Sequence, residues 1–304
     1  MLKLYNPWRA SWRSKLLREE MLFGYAALIP YLAGFLIFVA GPLAYSLWLS
    51  FTQYNILQPP VPVGLDNYAA LIEDPLMWKS LQNTAVYSLV SVPLQVVLGY
   101  ALALMLNQKV KGLSAWRTIY YVPAVVPIVA SAYLFSYLFN VDTGLVNLLL
   151  KMVSITGPNW FGSPDWALRT FIIMNLWVSG GGMIVYLAAL QGVPTALYDA
   201  AKIDGANGWQ RLWAVTVPMT SPALLFMFMI GIIGSFQVFT SVFIITSGGP
   251  VNATLMYVLY LYRHGWSYLQ MGYASALAWV LFAIIFGLTY LSLRVSGRLV
   301  HYEV

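Results

Sequence analysis

The chain has 304 residues, of which 60% are hydrophobic and only 9% charged, with a formal net charge of +6 and no cysteine. Soluble domains carry about a quarter charged residues, so this composition excludes a soluble globular domain and points to a membrane protein. The missing cysteines exclude disulfides, thiolate metal sites and cysteine catalysis.

A helix crosses about 30 Å of hydrocarbon with roughly 20 apolar residues. Six stretches meet that length without an Asp, Glu, Lys or Arg: Leu22–Leu49, Asn83–Leu106, Thr118–Phe139, Thr170–Gln191, Met219–Thr246 and Gln270–Leu293. Barrel-type alternation is missing and lipid tolerates no open backbone, so all six are predicted as helices. Pro30, Pro42, Pro93, Pro123, Pro127 and Pro222 are expected to kink them or mark their ends. Residues 1–21 and 294–304 are expected as tails flanking one six-helix membrane domain over 22–293.

Lys3, Arg9, Arg13, Lys15 and Arg18 precede the first span, Lys109, Lys111 and Arg117 follow the second, Lys202 and Arg211 follow the fourth, and Arg294 and Arg298 follow the sixth. The alternate loops hold only Lys79, Lys151, Arg169 and Arg263. Cytoplasmic loops collect Lys and Arg, so both termini and the segment between spans four and five are expected in the cytoplasm. The positive charge thus calls for no nucleic-acid partner. Most tryptophans fall near span ends, whereas Trp177 and Trp279 fall inside spans. The apolar run 252–262 is too short to cross and is expected to lie on or dip into the outer face, entered through Ser247–Pro250.

Catalysis lacks candidates: the carboxylates lie in loops and tails, His264 and His301 fall on opposite sides of the predicted membrane, and no Gly-Lys phosphate loop occurs. An ion-coupled carrier normally holds an ionisable residue within a span. Here the intramembrane polar groups are neutral, among them Gln95, Asn175, Ser179, Gln237 and Thr240. Each suits either an uncharged solute or a bond between helices. An ion-coupled carrier or facilitator of neutral solutes stays the alternative reading.

Residues 198–222, YDAAKIDGANGWQRLWAVTVPMTSP, interrupt two uncharged stretches. Pro194 and Thr195 are expected to start a helix with Thr195 as its cap, Asp204–Gly205 to turn it, and a second short helix to run from about Trp209 to Val215. Such a helix-turn-helix projection, with Ala200 and Ala201 permitting close approach and Asp199 and Asp204 supplying charge, fits a docking knob; an amphipathic helix on the membrane surface is the alternative.

Asp199-Ala200-Ala201, Asp204-Gly205-Ala206 and Val215-Thr216-Val217-Pro218 resemble the E-A-A-x-x-x-G signature of permease subunits of binding-protein-dependent ABC importers. Asp199 stands where glutamate is usual. LIPYLAGFLIFVAGPLAYSLWLSFTQYN, GLDNYAALIEDPLMWKSLQNT, NLWVSGGGMIVYLAALQGVP and TSGGPVNAT extend the likeness along nearly the whole chain, toward the maltose-type "F" permease of the sugar-importer branch. The resemblance implies an all-α, six-span, type I ABC importer permease fold in a bacterial or archaeal inner membrane. It implies a second homologous permease, two ATPase subunits that bind ATP and Mg, and an extracytoplasmic sugar-binding protein. No cofactor is implied in this chain.

By the same resemblance, residues 195–217 are the segment gripped by the ATPase. Asn175, Val178, Ser179 and Gly182 in the fourth span, and Ser235, Phe236, Gln237 and Phe239 in the fifth, match sugar-contacting positions. Asn175 and Gln237 would hydrogen-bond, and Phe236 and Phe239 would stack or wall the cavity, core packing being their plainer role. Gly182 stands where the maltose-type subunit has an aromatic, which implies a larger pocket or a different sugar; close helix packing is the other use of Gly180–Gly182. Trp177 is left between packing, gate and site.

Overall fold

A computed structural model describes residues 15–108 and 111–296. Lys3, Arg9, Arg13, Lys109, Arg298 and His301 lie outside the described residues. The chain is helical: α1 (Lys15–Phe35), α2 (Gly41–Leu49), α3 (Asp66–Glu73), α4 (Pro75–Leu106), α5 (Leu113–Val125), α6 (Ile128–Leu138), α7 (Leu145–Met152), α8 (Pro164–Leu176), α9 (Gly180–Gln191), α10 (Thr195–Ile203), α11 (Gly208–Arg211), α12 (Val217–Phe236), α13 (Thr240–Ile245), α14 (Tyr257–Tyr262) and α15 (Met271–Ser296). A two-residue hairpin pairs β1 (Thr52–Gln53) with β2 (Val61–Pro62), antiparallel, Gln53 opposite Val61.

Among the described residues five stretches are long and apolar enough to cross a membrane: Glu19–Leu49, Pro75–Leu106, Pro164–Gln191, Gly208–Ile245 and Met271–Ser296. The third predicted span is not one helix. α5 and α6 meet at a 96° bend, because Pro127 pushes Val126 out of the helical region to ψ 129°. Counted as one broken span, this pair makes the sixth crossing. The helices also start earlier than the apolar runs do. α4 begins at Asp74-Pro75, where the Asp74 carboxylate accepts the Leu76 and Met77 N–H groups and proline stands at the first helical position.

Helix α4 is the axis of the fold and packs on α8, α9 and α12. Close approaches in the bundle use small residues. A Cβ on Gly99 would come within 2.9 Å of the Ser179 carbonyl oxygen, one on Gly231 within 2.8 Å of Val92, and one on Gly180 would overlap the Tyr120 carbonyl. Apolar burial drives little helix association in lipid, so this backbone-to-side-chain proximity carries the packing. Tyr100 and Thr220 add a 2.8 Å hydroxyl pair between α4 and α12.

The 252–262 run is a core element rather than a surface helix. Thr254, Leu255, Met256 and Tyr257 have no exposed surface. Buried non-helical backbone needs partners from neighbours. Asn83 supplies them by donating to the Asn252 and Leu255 carbonyls at 2.8 and 3.1 Å, and Thr84 accepts the Tyr257 N–H at 2.9 Å. Tyr257 in turn donates to the Leu277 carbonyl at 3.0 Å. By contrast, the apolar length of Glu19–Leu49 is unburied within the chain; only its end touches the body, where Trp279 Nε1 donates to Ser46 Oγ at 3.2 Å.

Candidate functional site

A cavity of about 560 Å³ lies among α4, the α5–α6 bend, α8–α9 and the end of α12. Asn175, Val178, Ser179, Gly182, Ser235, Gln237 and Phe239 line it. The cause is a break in each of two spans. Residues 177–179 form a 3₁₀ turn between α8 and α9, and α12 stops at Gln237, leaving Val238 and Phe239 non-helical before α13. Both breaks turn neutral polar side chains toward one space. Phe236 is the exception: 5% exposed, it packs into the core with Phe171, Val242 and Tyr257 and does not line the cavity. Of the two phenylalanines expected to stack or wall the cavity, Phe239 alone lines it.

The hydroxyls are already engaged. Ser179 donates to the Leu176 carbonyl at 2.6 Å, and Ser235 pairs with Ser88 at 2.6 Å while bonding the Ile232 carbonyl at 2.9 Å. They hold helices. The carboxamides of Asn175 and Gln237 make no side-chain hydrogen bond within the described chain, and neither does that of Gln95, which lines the same cavity from α4. Gln95 and Asn175 are half-buried and Gln237 is exposed, so three carboxamides with unspent capacity to donate and accept face one accessible space.

Gly182 lines the cavity, and a Cβ there would come within 3.1 Å of Met227 and 3.3 Å of Tyr186. Gly180 serves helix packing instead, as described above. Trp177 also faces the cavity while meeting Phe135 edge-on at 5.2 Å, so packing and lining coexist in one side chain. Tyr87, Gln95, Ser131, Thr240 and Ser241 line it too; Gln95 and Thr240 were visible in the sequence as intramembrane polar residues, but their direction depends on helix rotation. Among the described residues no Lys, Arg, Asp, Glu or His lines it.

The projection is a separate site. α10 ends in a Schellman arrangement: Gly205 N–H bonds the Lys202 carbonyl at 3.1 Å, Ala206 N–H bonds the Ala201 carbonyl at 2.9 Å, and Gly205 takes φ +78°. The Asp-Gly-Ala run is therefore a helix stop. Thr195 does not cap the helix; Pro194 holds the N-cap position without a side-chain bond. Nor is the second helix separate: after an Asn207–Gln210 capping box, α11 passes through a π turn at Leu212–Thr216 directly into α12. Tyr198 OH lies 3.1 Å from Thr216 Oγ1 and ties the projection to that base.

Nothing on α10 is buried, and Ile203 is 87% exposed at its tip. Ala200 is exposed, Ala201 and Ala206 are half-buried. Asp199 is partly spent on Lys202, at 2.8 Å with both side chains exposed; such a pair contributes about 0–1 kcal/mol. Asp204 stands at the C-cap with no ion-pair partner among the described residues.

Residues 95–301, about two thirds of the chain, match the family model described as the inner membrane component of binding-protein-dependent transport systems. The chain is 38% identical over 296 residues to the probable ABC transporter permease protein YesP of Bacillus subtilis, covering 96% of each. It is 32% identical to the trehalose/maltose transport system permease protein MalF of Thermococcus litoralis, covering 93% of this chain and 96% of that one. A chain in the crystal structure of a bacterial ABC transporter involved in import of the acidic polysaccharide alginate superposes with a TM-score of 0.82 at 26% identity, covering 94% of this chain and 99% of its own. With its type I importer fold, its multi-pass membrane character and relatives that are permease subunits, this chain belongs to the inner-membrane permease components of binding-protein-dependent ABC transport systems, as a transport subunit rather than an enzyme.

Proposed function

We propose that this permease forms half of the pathway by which a neutral di- or oligosaccharide enters a bacterial or archaeal cell. One observation carries the reading: the carboxamides of Gln95, Asn175 and Gln237 face a common cavity with hydrogen-bonding capacity unspent and no ionised side chain beside them. Amides donate and accept, which matches sugar hydroxyls, and Phe239 and Trp177 offer ring faces. The trehalose/maltose assignment of the Thermococcus relative supports a neutral sugar. The acidic cargo of the structural neighbour would need cationic partners, and the lining of this cavity holds none.

In this reading both termini and the α10–α11 projection face the cytoplasm, following the Lys and Arg distribution. Two ATPase subunits bind ATP and Mg and close on the projection around Asp199, Ala200, Ala201, Asp204, Gly205 and Ala206. Their closure biases two packings of the helix bundle, inward-open and outward-open. A second, homologous permease completes the pathway, and the unburied length of Glu19–Leu49 is available to pack against it. An extracytoplasmic binding protein delivers the sugar to the opposite face.

The test is uptake by proteoliposomes holding the complete complex. ATP and binding protein together should drive import of a labelled neutral disaccharide, and Asn175→Ala with Gln237→Ala should raise KM by about thirtyfold, the loss of two hydrogen bonds of about 1 kcal/mol each, with ATPase activity retained. Uptake by this chain alone, driven by an ion gradient without ATP, would overturn the reading in favour of a carrier.

A further inference from the structure

A second cavity, of about 740 Å³, lies at the other end of α4, between the β1–β2 hairpin and the turn that precedes α15. Gln53, Gln58 and Gln270 line it with carboxamides, and Tyr54, Tyr268 and His264 with rings. The side-chain amides of Gln53 and Gln58 are unbonded within the described chain. Asp74, the one carboxylate in the lining, has both oxygens engaged. Tyr260 and Tyr273 donate to one of its oxygens, and the Leu76 and Met77 N–H groups to the other.

The walls are fixed before any ligand arrives. Gly272, near the start of α15, sits flush against β1: a Cβ there would overlap the Thr52 carbonyl oxygen, and its N–H donates to the Tyr54 carbonyl at 3.2 Å. Asn67 reaches from α3 to bond the Ser50 and Thr52 carbonyls, both at 2.9 Å. On the opposite wall the His264 ring is held by rings on three sides, with centroids 4.5 Å from Tyr260, 5.1 Å from Tyr268 and 4.6 Å from Tyr273, and its Nδ1 lies 2.7 Å from Gln270 Oε1. A preformed wall takes a ligand without a further ordering cost.

We propose that this pocket is an outer subsite for a neutral polyhydroxylated ligand, the end of an oligosaccharide, distinct from the central cavity. The proposal rests on the sugar-import reading and on the orientation given above. A hydroxyl donates and accepts at once, which free carboxamides match at every contact, while exposed tyrosine faces cover the C–H faces of a sugar ring. Ionic ligands are poorly matched: among the described residues no Lys or Arg lines the pocket for an anion, and the Asp74 carboxylate that a cation would seek already accepts four donors. Along α4, Asp74 precedes Tyr87 of the central cavity by thirteen residues, about 20 Å of helix. One sugar ring cannot occupy both.

The experiment uses the complete complex in lipid nanodiscs without its binding protein, titrated with maltotriose, raffinose and arabinotriose, reading hydroxyl-radical oxidation of Tyr54 and Tyr268 by mass spectrometry. At least one trisaccharide should protect both tyrosines saturably. Asn175→Ala with Gln237→Ala should leave that protection in place, and Gln53→Ala with Gln58→Ala should weaken half-saturation by about tenfold or more. Absence of protection by all three sugars overturns the subsite, as does protection that disappears with the central-cavity variants. Protection produced only by a binding protein, and indifferent to sugar, assigns the pocket to protein docking instead and also overturns it. Because ATP-driven uptake is measured separately, failure here leaves the import reading standing or falling on its own test.

Discussion

The α10–α11 projection and the 247–262 segment both interrupt the spans with glycine-bearing turns, yet they are held in opposite ways. The bonds that shape the projection are local: the Schellman closure, the Asn207–Gln210 box and the Asp199–Lys202 pair all join residues within six positions, and the Tyr198–Thr216 contact at its base spans only eighteen. Nothing on α10 is buried. The 247–262 segment has four consecutive residues without exposed surface, and the partners of its backbone, Asn83 and Thr84, lie about 170 positions away in sequence. A segment stabilised from within can present its outer surface to another protein. One stabilised from outside is part of the bundle and transmits the bundle's movements.

The largest effect that separates the two is on function without stability. Gly205→Pro demands φ near −65° where the turn uses +78°, and removes the N–H that bonds the Lys202 carbonyl. ATP-driven uptake should be abolished while the unfolding midpoint of the purified permease stays within a few degrees. A large drop in midpoint would mean that the projection is integral to the bundle and the contrast false.

Next comes stability with a long-range signature. Asn83→Ala orphans the buried Leu255 carbonyl and leaves the half-buried Asn252 carbonyl with the Leu255 N–H alone, which costs about 1–3 kcal/mol. Hydrogen exchange should accelerate across 252–262 and be unchanged over 195–206. Uniform acceleration would show that the two regions open together.

The smallest expected effect is a pH dependence. Burial alone would raise the Asp74 pKa, but the bonds from Tyr260, Tyr273, Leu76 and Met77 outweigh it and hold the carboxyl below its usual range. A lowered folded-state pKa contributes stability that is present above the unfolded value, about 3.9, and is lost as pH falls through the folded value. Unfolding midpoints should therefore be flat from neutrality to about pH 5 and fall more steeply below about pH 4 than those of Asp74→Asn. Parallel curves for the two proteins would remove Asp74 from the account.

The projection was legible because its shape is written in consecutive residues: Asp204-Gly205-Ala206 stops the helix through bonds that need no other element. Its capping was misread at Thr195, since Pro194 leaves the helix to start without a side-chain cap. The central cavity was legible in residue type and only partly in direction. Gln237 and Phe236 are neighbours of comparable promise, and one lines the cavity while the other enters the core, because a break in α12 sets which face turns inward.

Sequence by itself determined the membrane class, the number of apolar stretches, the projection and the neutrality of the intramembrane polar groups, since each follows from composition or from bonds a few residues long. Tertiary structure alone decided that the third crossing bends by 96°, that 252–262 is core, that Ser179 and Ser235 hold helices while Asn175, Gln237 and Gln95 stay free, and that a second polar pocket forms beside the hairpin. These depend on helix rotation and on partners up to about 200 positions apart, and no local pattern encodes the angle at which one helix meets another.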